Sequence, residues 1–466
     1  MLSIKKLSSS SEAGKYYQKA DYYTKGEGQT DIESGWHGQG AEELDLSGAV
    51  DKESFINVLD GKLPNGQSLE RQNGDRVPGW DLTFSAPKSV SMMALVGDDK
   101  RLLLAHLDAV KTTLSFLEKE YLVTRVMKDG ESRFENTEAM VAALFTHTTS
   151  RALDPQLHTH SVVTNATMDE NGIYKALESS PIFKNKMLLG QVYRSELANT
   201  IKDLGYEIDW DKQKGSFEIV GVEKEFIDAY SKRRKQIVGY AKENDLEGGK
   251  NMDRAALATR DSKKDMATRD VINQWDEEAD KIGFNHLEIK EAAIAKSILS
   301  SENEHEAEDI VRFAYSNLAY NEAVFTRQDL LKESLLFAHG ERTVSAIDNT
   351  IDKFVNSKEL ILAKQDSDYG KDTVSYTTKT AIDIEKQNLK LLTRGIDEVG
   401  QLGSDSQYRN FEKRFNESEE RPLMEEQSNT VKQMVFSKDR FTALQGFAGT
   451  GKSFSLKAFR EFSEER

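Results

Sequence analysis

Three histidines, His147, His158 and His160, fall within fourteen residues of a chain that has only eight histidines in all. The last two stand at i and i+2, a spacing that puts both side chains on one face of a β-strand. The first lies eleven residues earlier, at the end of the apolar run Val141 to Phe145, and Pro155 interrupts the connection. Two adjacent strands joined by such a turn bring the three imidazoles to one point. Convergent imidazoles mainly serve to hold a metal, and no other element of the sequence restricts the fold as much. The alternative is three unrelated packing or surface histidines.

Strand alternation places His158, His160, Val162 and Thr164 on one face, and Val141, Ala143, Phe145 and His147 on one face of the neighbour. Imidazole is a borderline-soft ligand, so chemistry alone favours zinc, manganese, iron, nickel or copper over magnesium. The chain has no cysteine, and no fourth histidine lies nearby to close the shell. An open coordination position is what a catalytic site keeps. Asp81, in the alternating stretch Trp80–Ser85, shares a face with Thr83. A carboxylate so placed can fix a ligand imidazole or take a proton from a nucleophile; a strand-end cap is the plainer reading. Two tyrosine pairs, Tyr16–Tyr17 and Tyr22–Tyr23, put four phenols on about two turns of a helical pattern that begins at Ser11. An aromatic core stripe is the ordinary explanation. Lysines, Gln18 and Asp21 surround the pairs, however, and tyrosine is a covalent nucleophile where a phosphate is activated nearby.

The 466 residues allow two to four domains. Residues 1–299 mix helix- and strand-like patterns, with a glycine-rich loop expected at Gly35 to Gly40. An acidic, polar stretch near 300–306 marks a boundary, and 300–420 reads as mainly helical, with a capping box at Thr326–Asp329. From 421 the character changes again. Gly446-Phe447-Ala448-Gly449-Thr450-Gly451-Lys452-Ser453 is a full G-x-x-x-x-G-K-S phosphate loop, with a strand expected at Phe441–Leu444 and a helix after it. Its glycines let backbone N–H groups wrap phosphates, Lys452 reaches the terminal phosphates and Ser453 ligates magnesium. The sequence ends thirteen residues beyond Ser453, so an incomplete ATPase and helicase is expected from these residues alone.

Mean hydropathy is -0.62, and no apolar run approaches the ~20 residues that span a bilayer. The first residues lack a signal-peptide core, and the absence of cysteine removes disulfides. No membrane insertion and a cytoplasmic setting follow as expectations. A net charge of -16 argues against a general DNA-coating protein but leaves room for a local basic groove. Arg151 and Arg194 are candidate DNA contacts by their closeness in sequence to the histidines. The run Lys232-Arg233-Arg234-Lys235 is either a phosphate-tracking or a solvated helix face.

Taken together, the tyrosine pairs, Gly38-Gln39-Gly40-Ala41-Glu42-Glu43-Leu44, the stretch Asp81 to Ser91 and Pro155-Gln156-Leu157-His158-Thr159-His160 resemble the MobF class of conjugative relaxases, the kind fused to a helicase. The resemblance covers about the first 300 residues; Thr159 stands where a bulky apolar residue is usual between the two histidines. The resemblance implies an α+β fold: the palm-like antiparallel sheet with flanking helices of the HUH endonucleases, then a mainly helical region and the start of a RecA-like α/β helicase domain. It implies metal-dependent, strand-specific nicking and rejoining of single-stranded plasmid DNA at a transfer origin, near a hairpin, through a 5′-phosphotyrosine. Tyr16 would be the first nucleophile, and Tyr22 or Tyr23 the second. The ion held by His147, His158 and His160 would be magnesium or manganese in such enzymes. Gln427 would read adenine, with ATP serving only an intact helicase. Partners implied are relaxosome accessory proteins and a type IV secretion coupling protein, with passage into a recipient cell. A rolling-circle replication or transposition nickase shares the histidines and tyrosine, and a non-catalytic origin-binding protein would read a DNA hairpin while its metal site is silent.

Overall fold

The computed structural model describes residues 1–11, 13, 34–69, 76–128, 130–246, 248–259, 268–297, 306–368, 371–447 and 449–465. Within them the chain forms two compact units, Met1–Thr377 and Thr378–Arg466. The helix expected from Ser11 through the tyrosines falls almost wholly outside the described residues.

The first unit is organised by a five-stranded antiparallel sheet. Its strands are β1 (Leu2–Lys6), β2 (Gly35–His37), β3 (Gly79–Ser85), β6 (Ala142–Thr149) and β7 (Pro155–Thr164), in the order β1-β3-β7-β6-β2. A hairpin of β4 (Val123–Lys128) and β5 (Glu131–Asn136) stands between β3 and β6 in sequence and makes its own two-stranded sheet. The two faces of the large sheet are chemically different, because successive side chains point oppositely. Leu82, Phe84, Leu157 and Val163 turn to one face and are buried under the helices Lys100–Tyr121 and Lys186–Asp203, through Leu114, Leu117, Val192 and Tyr193. The long first helix starts where Asp99 accepts a hydrogen bond from the Arg101 N–H, and ten of its residues are buried. Asp81, Thr83, Val162, Ala143 and the three histidines turn to the other face. There an apolar cluster of Ala13, Phe55, Leu59, Ala143, Phe145 and Val162 covers the part that the histidines leave.

The expected glycine-rich loop at 35–40 is instead strand β2 followed by a short helix, Gln39–Glu42. Gly38 and Gly40 are there for close approach rather than for looseness. Gly38 has φ +104°, and a Cβ on it would lie 2.4 Å from the Met140 carbonyl oxygen.

Later elements complete the first unit. Two short two-stranded sheets follow, β8 (Thr167–Met168) with β9 (Tyr174–Lys175) and β10 (Ile208–Asp211) with β11 (Ser216–Ile219). The helices Ala307–Asn321, Arg327–Phe337 and Val344–Asn356 pack in the same core as the Lys186–Asp203 helix. Glu196 accepts from the Val344 N–H at 2.6 Å, and Asn199 donates to the Gly340 carbonyl at 3.2 Å. The capping box at Thr326 and Asp329 is present. The region is not helical throughout, because β12 (Phe325–Thr326), β13 (Leu360–Asp368) and β14 (Lys371–Thr378) make a three-stranded sheet. The β-branched and aromatic content of Thr373 to Thr378, after Gly370, is what favours a strand there.

The second unit is helical among its described residues. The helices Asp405–Ser418, Glu425–Phe436 and Lys452–Glu464 bury Tyr408, Phe411, Phe415, Val431, Val435 and Phe462 together. The strand expected at 441–444 does not form, and Phe441 is exposed. A strand exists only through inter-strand hydrogen bonds, and no described residue of this unit supplies a partner strand.

Candidate metal centre

Register explains how the histidines meet. His147 on β6 lies directly opposite His158 on β7, and His160 on β7 lies opposite Thr83 on β3. All three imidazoles rise from one face, with ring centroids 5.0 to 5.3 Å apart. Their ligand nitrogens lie within 4.8 Å of one another. The register shifts between His147 and Thr149, where a bulge precedes the turn to Pro155.

The rings are oriented from behind. His160 donates its Nδ1–H to Asp81, whose two oxygens lie at 2.8 and 3.0 Å. The Thr83 hydroxyl bridges the pair, 3.1 Å from Asp81 Oδ1 and 3.1 Å from His160 Nδ1. His158 donates its Nδ1–H to the Gln156 carbonyl at 2.8 Å. These bonds commit Nδ1 of both rings, which leaves Nε2 as the lone-pair nitrogen on each. Imidazoles held this way are what metal ligation requires, so the residues present fit a divalent ion. Asp81 is buried and engaged with both His160 and Thr83.

Other positions named from the sequence are placed differently. Tyr16, Tyr17, Tyr22 and Tyr23 lie outside the described residues. Arg151 stands in the β6–β7 turn, at the end of the hairpin that carries the histidines. Arg194 does not approach them. It sits on the Lys186–Asp203 helix, under the opposite face of the sheet, where its guanidinium donates to the Gly215 carbonyl and, at 2.8 Å, to Gln191 Oε1. Sequence proximity misled there, because a strand and the helix after it share a layer boundary rather than a face. Arg233 is also structural, donating to the carbonyls of Thr259 at 2.6 Å and Ala256 at 2.7 Å.

The phosphate loop belongs to the second unit. Gly449 and Gly451 have φ of +82° and +81°, and the helix Lys452–Glu464 follows at once. Lys452 Nζ donates to the Gly446 and Phe447 carbonyls at 2.5 and 2.8 Å. Gln427 packs against the loop, its amide donating to the Thr450 carbonyl at 3.2 Å and its oxygen accepting from the Met424 N–H at 3.1 Å.

Residues 10–282, which contain the whole histidine and Asp81 arrangement, match the family model described as TrwC relaxase. The chain belongs to this relaxase family. Residues 422–466 match a model described as AAA domain. The multifunctional conjugation protein TraI of Escherichia coli is 36% identical over 382 residues, covering 78% of this chain and 21% of that protein. The chain therefore spans about a fifth of the length of the curated relatives it matches. Solved structures of the conjugative relaxase TrwC align over their full length with 61% of this chain. A copper-bound complex with origin-of-transfer DNA has TM-score 0.57 at 35% identity. A complex with a 27-mer comprising the recognition hairpin and the cleavage site has TM-score 0.55, also at 35% identity. For this relaxase, sequence reasoning missed the Gln156 carbonyl that orients His158. A backbone acceptor carries no sequence signal.

Proposed function

We propose that the first unit nicks and rejoins single-stranded DNA at a plasmid transfer origin by tyrosine transesterification. The observation that carries this reading is the triad of His147, His158 and His160 with His160 oriented by Asp81. The relatives that support it are TrwC in complex with origin DNA and TraI, a conjugation protein.

The three histidines would hold a divalent cation, either a hard ion such as magnesium or manganese or a softer one such as zinc, nickel or copper. When bound, the ion supplies Lewis acidity toward a non-bridging oxygen of the scissile phosphate. The chain's own part is to supply imidazoles at fixed orientation. Asp81 and the Gln156 carbonyl do this by holding Nδ1–H on His160 and His158. Tyr16 is the proposed first nucleophile, with Tyr17, Tyr22 and Tyr23 as the other phenols of the set. Its oxygen forms the bond to phosphorus as the bond to the 3′ oxygen breaks, leaving a 5′-phosphotyrosine and a 3′-hydroxyl. One phosphoester replaces another, so the step is near thermoneutral and reversible. The described residue nearest to Tyr16 in sequence is Ala13, three residues before it. It is buried in the cluster with Phe145 and Val162, the neighbours of His160 on the sheet.

Arg151 is a proposed phosphate contact beside the site. Nucleotide binding by Gly446, Gly449, Gly451, Lys452 and Ser453, with Gln427 against adenine, is the corresponding reading of the second unit. Relaxosome proteins, a secretion coupling protein, a cytoplasmic setting and passage to a recipient cell follow from the conjugation reading. No described helix is long and apolar enough to cross a membrane.

The test is incubation of the chain with single-stranded origin oligonucleotides and manganese, reading covalent adducts on a denaturing gel. A metal-dependent adduct on tyrosine supports the proposal. Specific binding of the DNA with no adduct under any divalent ion would make the chain an origin-binding protein instead.

A further inference from the structure

A second polar cluster lies directly behind the triad, on the helix-covered face of the same strands. His106, fully buried on the Lys100–Tyr121 helix, places Nδ1 2.7 Å from the Tyr193 hydroxyl and Nε2 2.9 Å from Thr159 Oγ1. Thr159 Oγ1 is in turn 2.8 Å from Thr146 Oγ1. Thr146 and Thr159 are direct cross-strand partners. Thr159 lies between His158 and His160, and Thr146 immediately precedes His147, so the chain of hydroxyls crosses the two strands at the level of the ligands.

The direction of these bonds is fixed by proton supply. Burial pushes the His106 imidazole down to about 3, so it is neutral, with one donor and one acceptor nitrogen. Tyr193 is fully buried, and its hydroxyl has no other hydrogen bond among the described residues. It therefore donates to Nδ1; Nε2–H donates to Thr159, and Thr159 donates to Thr146. The chain ends at Thr146, which is 7% exposed. An apolar set would pack this core without the desolvation cost of four polar side chains, so the network must specify something that packing alone does not.

We propose that His106 is a positioning residue for the metal centre, setting through Thr159 and Thr146 the cross-strand spacing of His147, His158 and His160. The proposal rests on the reading of the triad as a metal site. It uses the alternation of a strand: whatever fixes Thr159 from below fixes the two flanking imidazoles above it.

The experiment uses the full chain and cobalt(II) alone, whose visible absorption reports ligand geometry. Affinity and spectrum are measured for wild type, His106→Leu and His106→Gln, each below its own melting temperature. Glutamine retains a donor toward Thr159, and leucine keeps volume without one. The expected result is cobalt binding about tenfold weaker with a shifted absorption envelope for His106→Leu, the scale of losing an outer-shell support. His106→Gln should stay close to wild type. A folded His106→Leu with wild-type affinity and spectrum overturns the proposal, as does equal loss in both variants. If His106→Leu does not fold, the isosteric Thr159→Val replaces it under the same criteria. Absence of cobalt binding in the wild-type chain would overturn the metal-site reading and this inference together.

Discussion

Asp81 and His160 lie on neighbouring strands, and the carboxylate of one accepts the Nδ1–H of the other at 2.8 Å while Thr83 bridges them. The bond fixes which ring nitrogen faces the open side of the sheet. Its consequence is measurable. Asp81→Asn keeps the volume but removes the charge and permits the amide to turn its NH2 toward the ring. Manganese affinity, read by calorimetry, should fall about 10–100-fold, with the melting temperature little changed. Unaltered affinity would make Asp81 a strand-packing residue only.

Removing a ligand should act on chemistry and not on the fold. His158→Ala and His160→Ala are each expected to abolish DNA cleavage while leaving the circular dichroism spectrum intact. Excess chelator should do the same to wild type, and manganese should restore it. Wild-type rates in chelator contradict the metal-centre reading.

Tyr16→Phe removes a single oxygen. Adduct formation with origin DNA should be lost, and peptide mapping of the wild-type adduct should place the phosphate on Tyr16. A normal yield mapped to Tyr22 or Tyr23 reassigns the nucleophile.

His106 also predicts a pH dependence of stability. Its imidazole is held down at about 3 by burial, against 6.5 for the ordinary group. Between those values the unfolded chain binds a proton that the folded chain refuses, so stability falls as pH drops below 6.5. The slope from this one residue is about 1.4 kcal/mol per pH unit, lost progressively toward pH 3. Denaturant titrations of wild type and His106→Gln at several pH values should show a shallower acid decline in the variant. Parallel curves would mean that the folded protein accommodates the charge.

Gly38 has a purely steric test. Gly38→Ala sets a methyl 2.4 Å from the Met140 carbonyl oxygen at φ +104°, which should cost about 1–3 kcal/mol of stability. Chemical denaturation measures it, and a neutral outcome would mean that the Gln39–Glu42 helix shifts freely.

The histidine arrangement was legible in the sequence because a strand's period of two is rigid. His158, His160 and Asp81 could be assigned faces from spacing alone. The family resemblance extended that to activity. What could not be read were relations without a periodic signature. Arg194 was drawn toward the site by sequence distance, yet its helix covers the reverse face. The backbone acceptor for His158 is invisible in side-chain identity. The Phe441–Leu444 stretch looks apolar enough for a strand, but strand formation depends on partners rather than on local composition. Gly35 to Gly40 looked like a loop because glycine signals freedom and close approach equally.

The order of contacts along the chain carries one more consequence. His147, His158 and His160 all belong to a single hairpin, whereas Asp81 reaches His160 across 79 residues. Hairpins close in about 1–10 microseconds, and distant strands pair later. By that ordering the three rings come together within the hairpin, and the Asp81 carboxylate joins them only when β3 docks.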